Sequence, residues 1–369
     1  MNNEINYSVF IDSLFRQAGE RGTPLSGAFE LTSRCTLNCK MCYIHRSPNS
    51  REALSAEKST EWWIDLARRA VSKGMFLLLL TGGEPLIRKD FEEIYLACRN
   101  MGLLVSVNTN ATLIDERKVE FFAANPPQRL NISLYGTSPE TYANLCGDGE
   151  AYGKVINAVK ALKEAGVSVK LNYTITPYNK SDTLKVYDLA KELGVPVQPV
   201  SYMFPPLRSS CRAETVRLSP EEAARAHFDW QSHHFSDPSD LRRFLEITQK
   251  GEAPAKAEPD YFDSCGERIR CRAGLSSFWV TYDGKMTPCG MMVEPSVAIE
   301  DFDDAWSLIR AEREKIYLPA ECKSCSLRKS CDICAAVSYA ETGRFDGVPT
   351  YVCQKAKAYN KLCREVLSE

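Results

Sequence analysis

The sequence predicts an α/β protein built on a partial (βα)6, TIM-like barrel with a cysteine-rich C-terminal extension. Two observations carry this. Six short strand-like runs alternate with amphipathic helical stretches up to about residue 204, each unit roughly 25–40 residues long, the rhythm of a parallel sheet with helices outside. The fifteen cysteines then cluster, three at positions 35–42 and eight between Cys265 and Cys353. A closed eightfold barrel needs two more units, and none is read after the sixth strand.

The elements follow in order. Residues 1–24 read as a helical or irregular arm ending at Gly22-Thr23-Pro24, and 27–32 as the first strand. Ser55 is read as the N-cap of a helix to residue 73, with Trp62, Trp63, Leu66 and Val71 as apolar positions and Gly74 as its stop. Residues 75–80 form a continuous apolar run, as in a strand covered on both faces. Asp90 is expected to cap a helix to 101. Strands at 103–109, 130–134, 167–175 and 195–204 alternate with helices at 115–124, 138–145, 152–165 and 182–193. Beyond Pro205 the rhythm changes. Ser219-Pro220-Glu221-Glu222 starts a helix to about 232, and a second spans 238–250. The Ala-, Pro- and charge-rich stretch 251–259 reads as a linker. The expected units are an arm (1–24), the barrel (25–210), a helical connector (211–259), and the cysteine-rich domain with a C-terminal helix (260–369).

Composition narrows the function. The net charge is −2 over 369 residues and no basic run tracks a phosphate backbone, so nucleic acid is not the expected partner. No export signal or membrane-length apolar run is present, and the chain is read as soluble and cytoplasmic. In that setting so many thiols indicate metal ligation rather than disulfides. Cys35, Cys39 and Cys42 can converge on one cluster from a single loop. A [4Fe–4S] cube takes four cysteines, so three leave one iron open, and eight more would fill two further cubes. A zinc site or buried free thiols are the alternatives for the first three. A four-cysteine zinc ribbon of Cys322, Cys325, Cys331 and Cys334 is the alternative downstream, although it leaves Cys265, Cys271, Cys289 and Cys353 without a role. His45, His227, His233 and His234 show no metal spacing.

The second strand runs into Thr81-Gly82-Gly83-Glu84-Pro85, where glycines admit close approach to the backbone and a strand-end carboxylate can meet an ammonium group. The CxxxCxxC run after strand one, followed by Gly-Gly-Glu-Pro after strand two, resembles the radical S-adenosylmethionine (SAM) enzymes. That resemblance implies a cluster held by Cys35, Cys39 and Cys42, with Gly82, Gly83, Glu84 and Pro85 engaging the methionine amino group of SAM. It also implies that Asn108 (with Asn110 beyond it), Ser133 and Asn172 contact the ribose and carboxylate, and that residues 198–203 wall the adenine. The family usually has an aromatic residue before the third cysteine; here that position is Met41, with Tyr43 following.

Downstream, Cys265-x5-Cys271-x12-Gly284-x4-Cys289 and Cys322-x2-Cys325-x5-Cys331-x2-Cys334-x18-Cys353 resemble the SPASM extension, with a hairpin turn at 282–285 presenting Cys289. The resemblance is to anaerobic sulfatase-maturating enzymes and to SPASM proteins that modify ribosomally made peptides (RiPPs). It implies two auxiliary [4Fe–4S] clusters, one on Cys265, Cys271, Cys289 and Cys334, the other on Cys322, Cys325, Cys331 and Cys353. The chain departs by one residue between Cys331 and Cys334. The implied activity is reductive cleavage of SAM to a 5′-deoxyadenosyl radical that takes hydrogen from a peptide or protein. The outcome would be oxidation, a thioether or carbon–carbon crosslink, or epimerisation. A small metabolite such as a sugar, cofactor or porphyrin precursor is the alternative substrate, and a non-enzymatic Fe–S carrier or zinc scaffold a further alternative. A flavodoxin or ferredoxin-type electron donor is implied. Because only about 25 residues precede the first strand, a separate leader-recognition protein is expected for a leader peptide. Tyr135, Asp148, Tyr202 and Cys211 are candidates to act on a radical intermediate. Cys98, Cys146 and Cys363 are read as structural.

Overall fold

A computed structural model describes residues 7–206, 208, 216–250, 266, 268–269 and 271–368. Cys211 and Cys265 lie outside them. Helix α1 (Tyr7–Arg21) precedes β1 (Ser26–Glu30); α2 (Arg51–Ala56), α3 (Thr60–Ser72), β2 (Leu77–Thr81), α4 (Phe91–Asn100), β3 (Leu104–Thr109), α5 (Glu116–Ala124) and β4 (Arg129–Ser133) follow. Next come α6 (Pro139–Cys146), α7 (Ala151–Glu164), β5 (Val169–Thr174), α8 (Thr183–Leu193) and β6 (Val197–Val200). All six strands pair in parallel with sequence neighbours, and they bear out the predicted partial barrel.

The sheet is larger than the sequence predicts, with nine strands rather than six. Strand β7 (Ser277–Val280), from the cysteine-rich extension, adds in parallel to β1 on the side away from β2. Strands β8 (Lys285–Thr287) and β9 (Val297–Ala298) continue it antiparallel, giving the order β6-β5-β4-β3-β2-β1-β7-β8-β9. An uncovered β1 would leave a row of unpaired backbone groups beside the site; β7 satisfies them. Phe278 packs on Phe29 (6.4 Å between centroids) and on Phe302 of α11 (Phe302–Arg313) at 5.4 Å. The hairpin between β7 and β8 turns where expected, with Gly284 at φ +86°.

Alternation along the strands sorts the side chains. Phe29, Leu80, Val107, Leu130 and Leu171 share the face covered by helices, where Trp63, Ile94, Phe122, Val155 and Leu162 meet them, all fully buried. Each such side chain contributes about 1.5–3 kcal/mol by leaving water. The opposite, inner face carries polar groups.

Other boundaries differ for local reasons. The helix expected from Ser55 to residue 73 is two helices. Ser50 caps α2 by accepting from Ala53 N–H and Ser59 caps α3 by accepting from Trp62 N–H, while the Ser55 hydroxyl bonds the Glu52 carbonyl. Between them Glu57 leaves the helical path (φ −64°, ψ 136°), which frees its carboxylate for Arg34 and Arg88. Asp90 stands at the N-cap of α4 without capping it, because Arg88 and Thr60 occupy its carboxylate. Strand β6 is shorter than expected, an edge strand carrying Pro199, which cannot donate to a ladder.

Helix α9 (Pro220–Ser232) has the expected capping box of Ser219 and Glu222, and α10 spans Pro238–Lys250. In the extension, α12 (Ala335–Thr342) leads to α13 (Thr350–Ser368), which returns to α9 and buries Cys363 among Phe228, Leu245 and Tyr359. No described helix is long and apolar enough to cross a membrane.

Candidate active site

The cysteine loop leaves β1 and is tied down on three sides. Its two ends close on each other through Cys35 N–H to Arg46 O (3.0 Å) and Arg46 N–H to Ser33 O (2.9 Å). Arg34 forks onto buried Glu57 at 2.6 and 3.0 Å, and Arg88 adds a contact to the same carboxylate at 3.5 Å. Asn38 and Lys40 donate backbone bonds to the last carbonyls of α6 (3.0 and 2.9 Å). The flanks of Cys35 are thus fixed by buried, paired charges rather than by the thiol itself.

Burial pushes the Cys35 thiol up to about 12, with the Glu84 carboxylate adding to it and the Leu37 N–H opposing. Asn110 Nδ2 and Leu37 N–H both point at the Cys35 sulfur, at 3.4 and 3.5 Å. Cys39 is raised well above an ordinary thiol, first by a hydrogen bond with Cys146 and then by burial. Without metal these thiols hold their protons; ligation would remove them. They are neighbours rather than a closed shell, since among the described residues no three Cys, His, Asp or Glu side chains converge on one metal-sized point. The donor set still suits an iron–sulfur cluster, being all thiol and on one loop. Beside it Ser33 Oγ is buried with no partner.

The Gly82–Pro85 turn presses directly on this loop. Gly83 N–H bonds Thr32 O and Glu84 N–H bonds Arg34 O, both at 2.8 Å. A Cβ on Gly82 would stand 2.4 Å from Thr32 O, and one on Gly83 2.4 Å from Arg34 O. The glycines therefore make room for the chain's own backbone, the carbonyls of Thr32 and Arg34. Glu84 is engaged by the protein as well. Its carboxylate is fully buried and accepts from Leu86 N–H (3.0 Å), Thr109 Oγ1 (2.8 Å) and Asn110 N–H (2.7 Å), so it clamps the ends of β2 and β3 together. Among the described residues no hydrogen bond to the carbonyls of Gly82 and Gly83 is found.

Burial raises Glu84 to about 7 from an ordinary 4.5, against the pull of those three donors. A raised acid stabilises the fold below its unfolded value and loses that contribution as pH rises through the folded one. The metal-free protein is accordingly expected to lose up to about 3 kcal/mol between pH 4.5 and 7. Glu84→Gln should flatten this slope in urea titrations. Its amide N–H2 would meet a backbone or hydroxyl donor, for a loss of about 1–3 kcal/mol near pH 7. A slope unchanged in the variant would contradict the assignment.

The inner face of the barrel is polar and continuous. Register aligns Glu30 with Thr81 and Asn108 with Asn131, while Ser133, Asn172 and Gln198 form a second row. Asn131 Nδ2 donates to Asn108 Oδ1 at 3.0 Å, and Lys170 to Gln198 at 2.7 Å. Glu30 was not singled out from the sequence. It is fully buried, forked by Arg208 (3.0 and 2.8 Å) and bonded by Trp279 Nε1 of β7 (3.2 Å). The available signal was a carboxylate inside an apolar strand. Tyr43 lies under the Arg208 guanidinium at 5.3 Å, and burial raises its hydroxyl. Met41 packs against the main core.

Other candidates are engaged elsewhere. Asp148 Oδ1 accepts from Glu150 and Ala151 N–H at the start of α7. Tyr202 donates to Glu341 at 2.7 Å, a carboxylate shared with Arg217 at 2.6 Å, so it turns to the extension rather than the barrel. Tyr135 reaches Cys39. Cys98 is a fully buried apolar residue of α4.

In the extension, Cys271 and Cys289 act electrostatically on Cys334, and all three border the small core of Ile269, Met292 and Ile316. Cys322 packs with Cys331, Cys331 feels Cys353, and Cys353 feels Cys325. Cys334 is thus within electrostatic reach of Cys271 and Cys289, and with Cys331 it also borders the cluster of Tyr202, Val337 and Val352.

Residues 29–190 match the model of the Radical SAM superfamily. The chain is 28% identical over 344 residues to an AdoMet-dependent heme synthase of Methanosarcina barkeri, covering 86% of this chain and 93% of that one. It is 23% identical over 346 residues to a PqqA peptide cyclase of Granulibacter bethesdensis, covering 88% and 85%. Among solved structures, anSMEcpe with bound AdoMet superposes with a TM-score of 0.71 at 19% identity, covering 94% of this chain and 98% of that one. Streptococcus suis SuiB bound to precursor peptide SuiA gives 0.65 at 19%, covering 93% and 79%.

Proposed function

We propose, for a chain that carries a radical SAM domain over residues 29–190, that it cleaves SAM reductively and modifies a peptide or protein substrate by hydrogen abstraction. The observation that carries the chemistry is the Gly82–Glu84 turn hydrogen-bonded onto Thr32 and Arg34, the residues that lead into the Cys35–Cys42 loop. When bound, a reduced [4Fe–4S] cluster and SAM supply one-electron cleavage to methionine and a 5′-deoxyadenosyl radical.

The chain's own residues would do the following. Cys35, Cys39 and Cys42 ligate the cluster. The Gly82 and Gly83 carbonyls and Ser33 Oγ receive the polar groups of methionine, with Glu84 holding that turn rigid. Asn108, Ser133 and Asn172 line the inner face toward the ribose, and Tyr43 lies at the β1 side under Arg208. Cys271, Cys289 and Cys334 with Cys265, and Cys322, Cys325, Cys331 and Cys353, would hold two auxiliary clusters as redox partners for the substrate radical. A flavodoxin or ferredoxin-type protein supplies the electron, and a separate recognition protein presents a leader peptide.

The peptide reading is supported by the likeness to a PqqA peptide cyclase. A second reading, a haem precursor, is favoured by the likeness to a heme synthase across 93% of that protein. Incubation with SAM and reductant under anoxic conditions separates them. With short peptides encoded beside its gene, the first predicts a defined peptide mass change together with 5′-deoxyadenosine. The second predicts a haem absorbance band from a porphyrin precursor. Deoxyadenosine with a haem band and unaltered peptides would overturn the peptide reading.

A further inference from the structure

Helix α13 carries three cations in one stripe. Lys357, Lys361 and Arg364 stand at i, i+4 and i+7, all exposed, and the stripe begins one turn after Cys353. Across from it runs the turn at Ser326 and Leu327, which directly follows the exposed Cys325. Between turn and helix lies a groove of about 540 Å3, with Glu365 the one acid among its described lining residues. Its walls are fixed. Asn360 Nδ2 donates to Ser330 Oγ at 2.6 Å and Lys355 pairs with Asp332 at 2.8 Å, so α13 is stitched to the residues on either side of Cys331. Lys361 approaches Glu365 only to 4.0 Å, and among the described residues no ion pair of Lys357 or Arg364 is found.

We propose that this groove docks the acidic face of a one-electron carrier protein of the flavodoxin or ferredoxin type, which passes its electron to the centre of Cys322, Cys325, Cys331 and Cys353. The inference rests on the reading that these four thiols hold an iron–sulfur cluster. One electron moves: the carrier is oxidised, the cluster is reduced, and no bond forms. A net charge of −2 gives an acidic partner no general attraction to this chain, so a local stripe of three cations against one acid decides where it lands. Transient redox encounters bury little surface and take their orientation from charge, which an open cationic groove supplies. The exposure of Cys325 brings one edge of the centre to the surface beside that landing place.

The test follows oxidation of photoreduced flavodoxin by the reconstituted holoenzyme, in stopped-flow absorbance without oxygen. Lys357→Glu, Lys361→Glu and Arg364→Glu together should slow the second-order rate about tenfold at low salt, and the gap should close at about 0.5 M salt. Glutamine at the three positions should slow it by less, about threefold, and decides the matter if the reversed variant loads less iron. Lys154→Glu, Lys160→Glu and Lys191→Glu, at exposed positions of α7 and α8, change the net charge equally and should stay within about twofold of wild type. Reduction by photoreduced 5-deazariboflavin, small and uncharged, should be alike in all of them. A protein with Cys35, Cys39 and Cys42 replaced by alanine should oxidise flavodoxin at an unchanged initial rate, because the electron enters downstream. Equal slowing by the two sets of reversals, no slowing in the stripe variants at full iron content, or loss of the initial phase in the triple alanine protein would overturn the inference. So would self-association that the stripe reversal abolishes while flavodoxin oxidation is unchanged, a result that assigns the groove to a second copy. The underlying reading fails separately: a protein carrying Cys325→Ala and Cys353→Ala that keeps its full iron would sink it.

Discussion

Replacing Cys35, Cys39 and Cys42 together with alanine is expected to abolish 5′-deoxyadenosine formation while leaving the downstream iron in place. A cube with three cysteine ligands has no fourth to fall back on, so losing all three removes the cluster outright. Iron should fall from about twelve to about eight per chain if, as proposed, two four-cysteine clusters hold the remainder. The loop should survive, since Arg34 on Glu57, the Cys35–Arg46 backbone pair and the α6 contacts do not involve the thiols. Residual deoxyadenosine at more than a trace, or a fall to no iron at all, would contradict the assignment of separate centres.

Gly83→Ala is expected to cost about 3–5 kcal/mol and to take activity with it. The new Cβ would lie 2.4 Å from Arg34 O, 2.7 Å from Ser33 O and 2.8 Å from Arg34 C, all backbone atoms that cannot rotate aside. Relief requires the turn to lift off the loop, breaking the Gly83–Thr32 and Glu84–Arg34 bonds, each worth about 1 kcal/mol, and unseating the Glu84 clamp. Gly102→Ala is the control. It has φ +87° and open space around it, so only backbone strain of about 1–2 kcal/mol is at stake, with cleavage of SAM retained. Denaturant midpoints and deoxyadenosine yields measured side by side would decide; equal losses in the two variants would refute the steric account.

Much of this architecture was legible in the chain because the signals were local. Apolar runs such as 75–80, the capping box at Ser219, and Gly74, Gly102, Gly166 and Gly194 after their helices each encode an element within a few residues. What was missed depends on contacts between distant segments. Nothing near residues 277–280 says that this strand pairs with β1. Glu57 reads as a helical residue until Arg34 and Arg88 claim it. The same holds at the site. Cysteine spacing indicated the loop and its grouping downstream, and Gly-Gly-Glu-Pro indicated the adjoining turn. The contacts inside that turn were not legible: the glycines make room for Thr32 and Arg34, and Glu84 binds protein donors. Cys146 gave no sign of its position, since its approach to Cys39 depends on how α6 docks.

The central claim is that the Cys35–Cys42 loop and the Gly82–Glu84 turn form one SAM-cleaving centre. Its most direct test is the wild-type protein reconstituted without oxygen, supplied with SAM and a strong one-electron reductant, and assayed for products. The account predicts methionine and 5′-deoxyadenosine in equal amounts, dependent on reductant and iron. Tightly bound zinc, with SAM recovered intact, would contradict it.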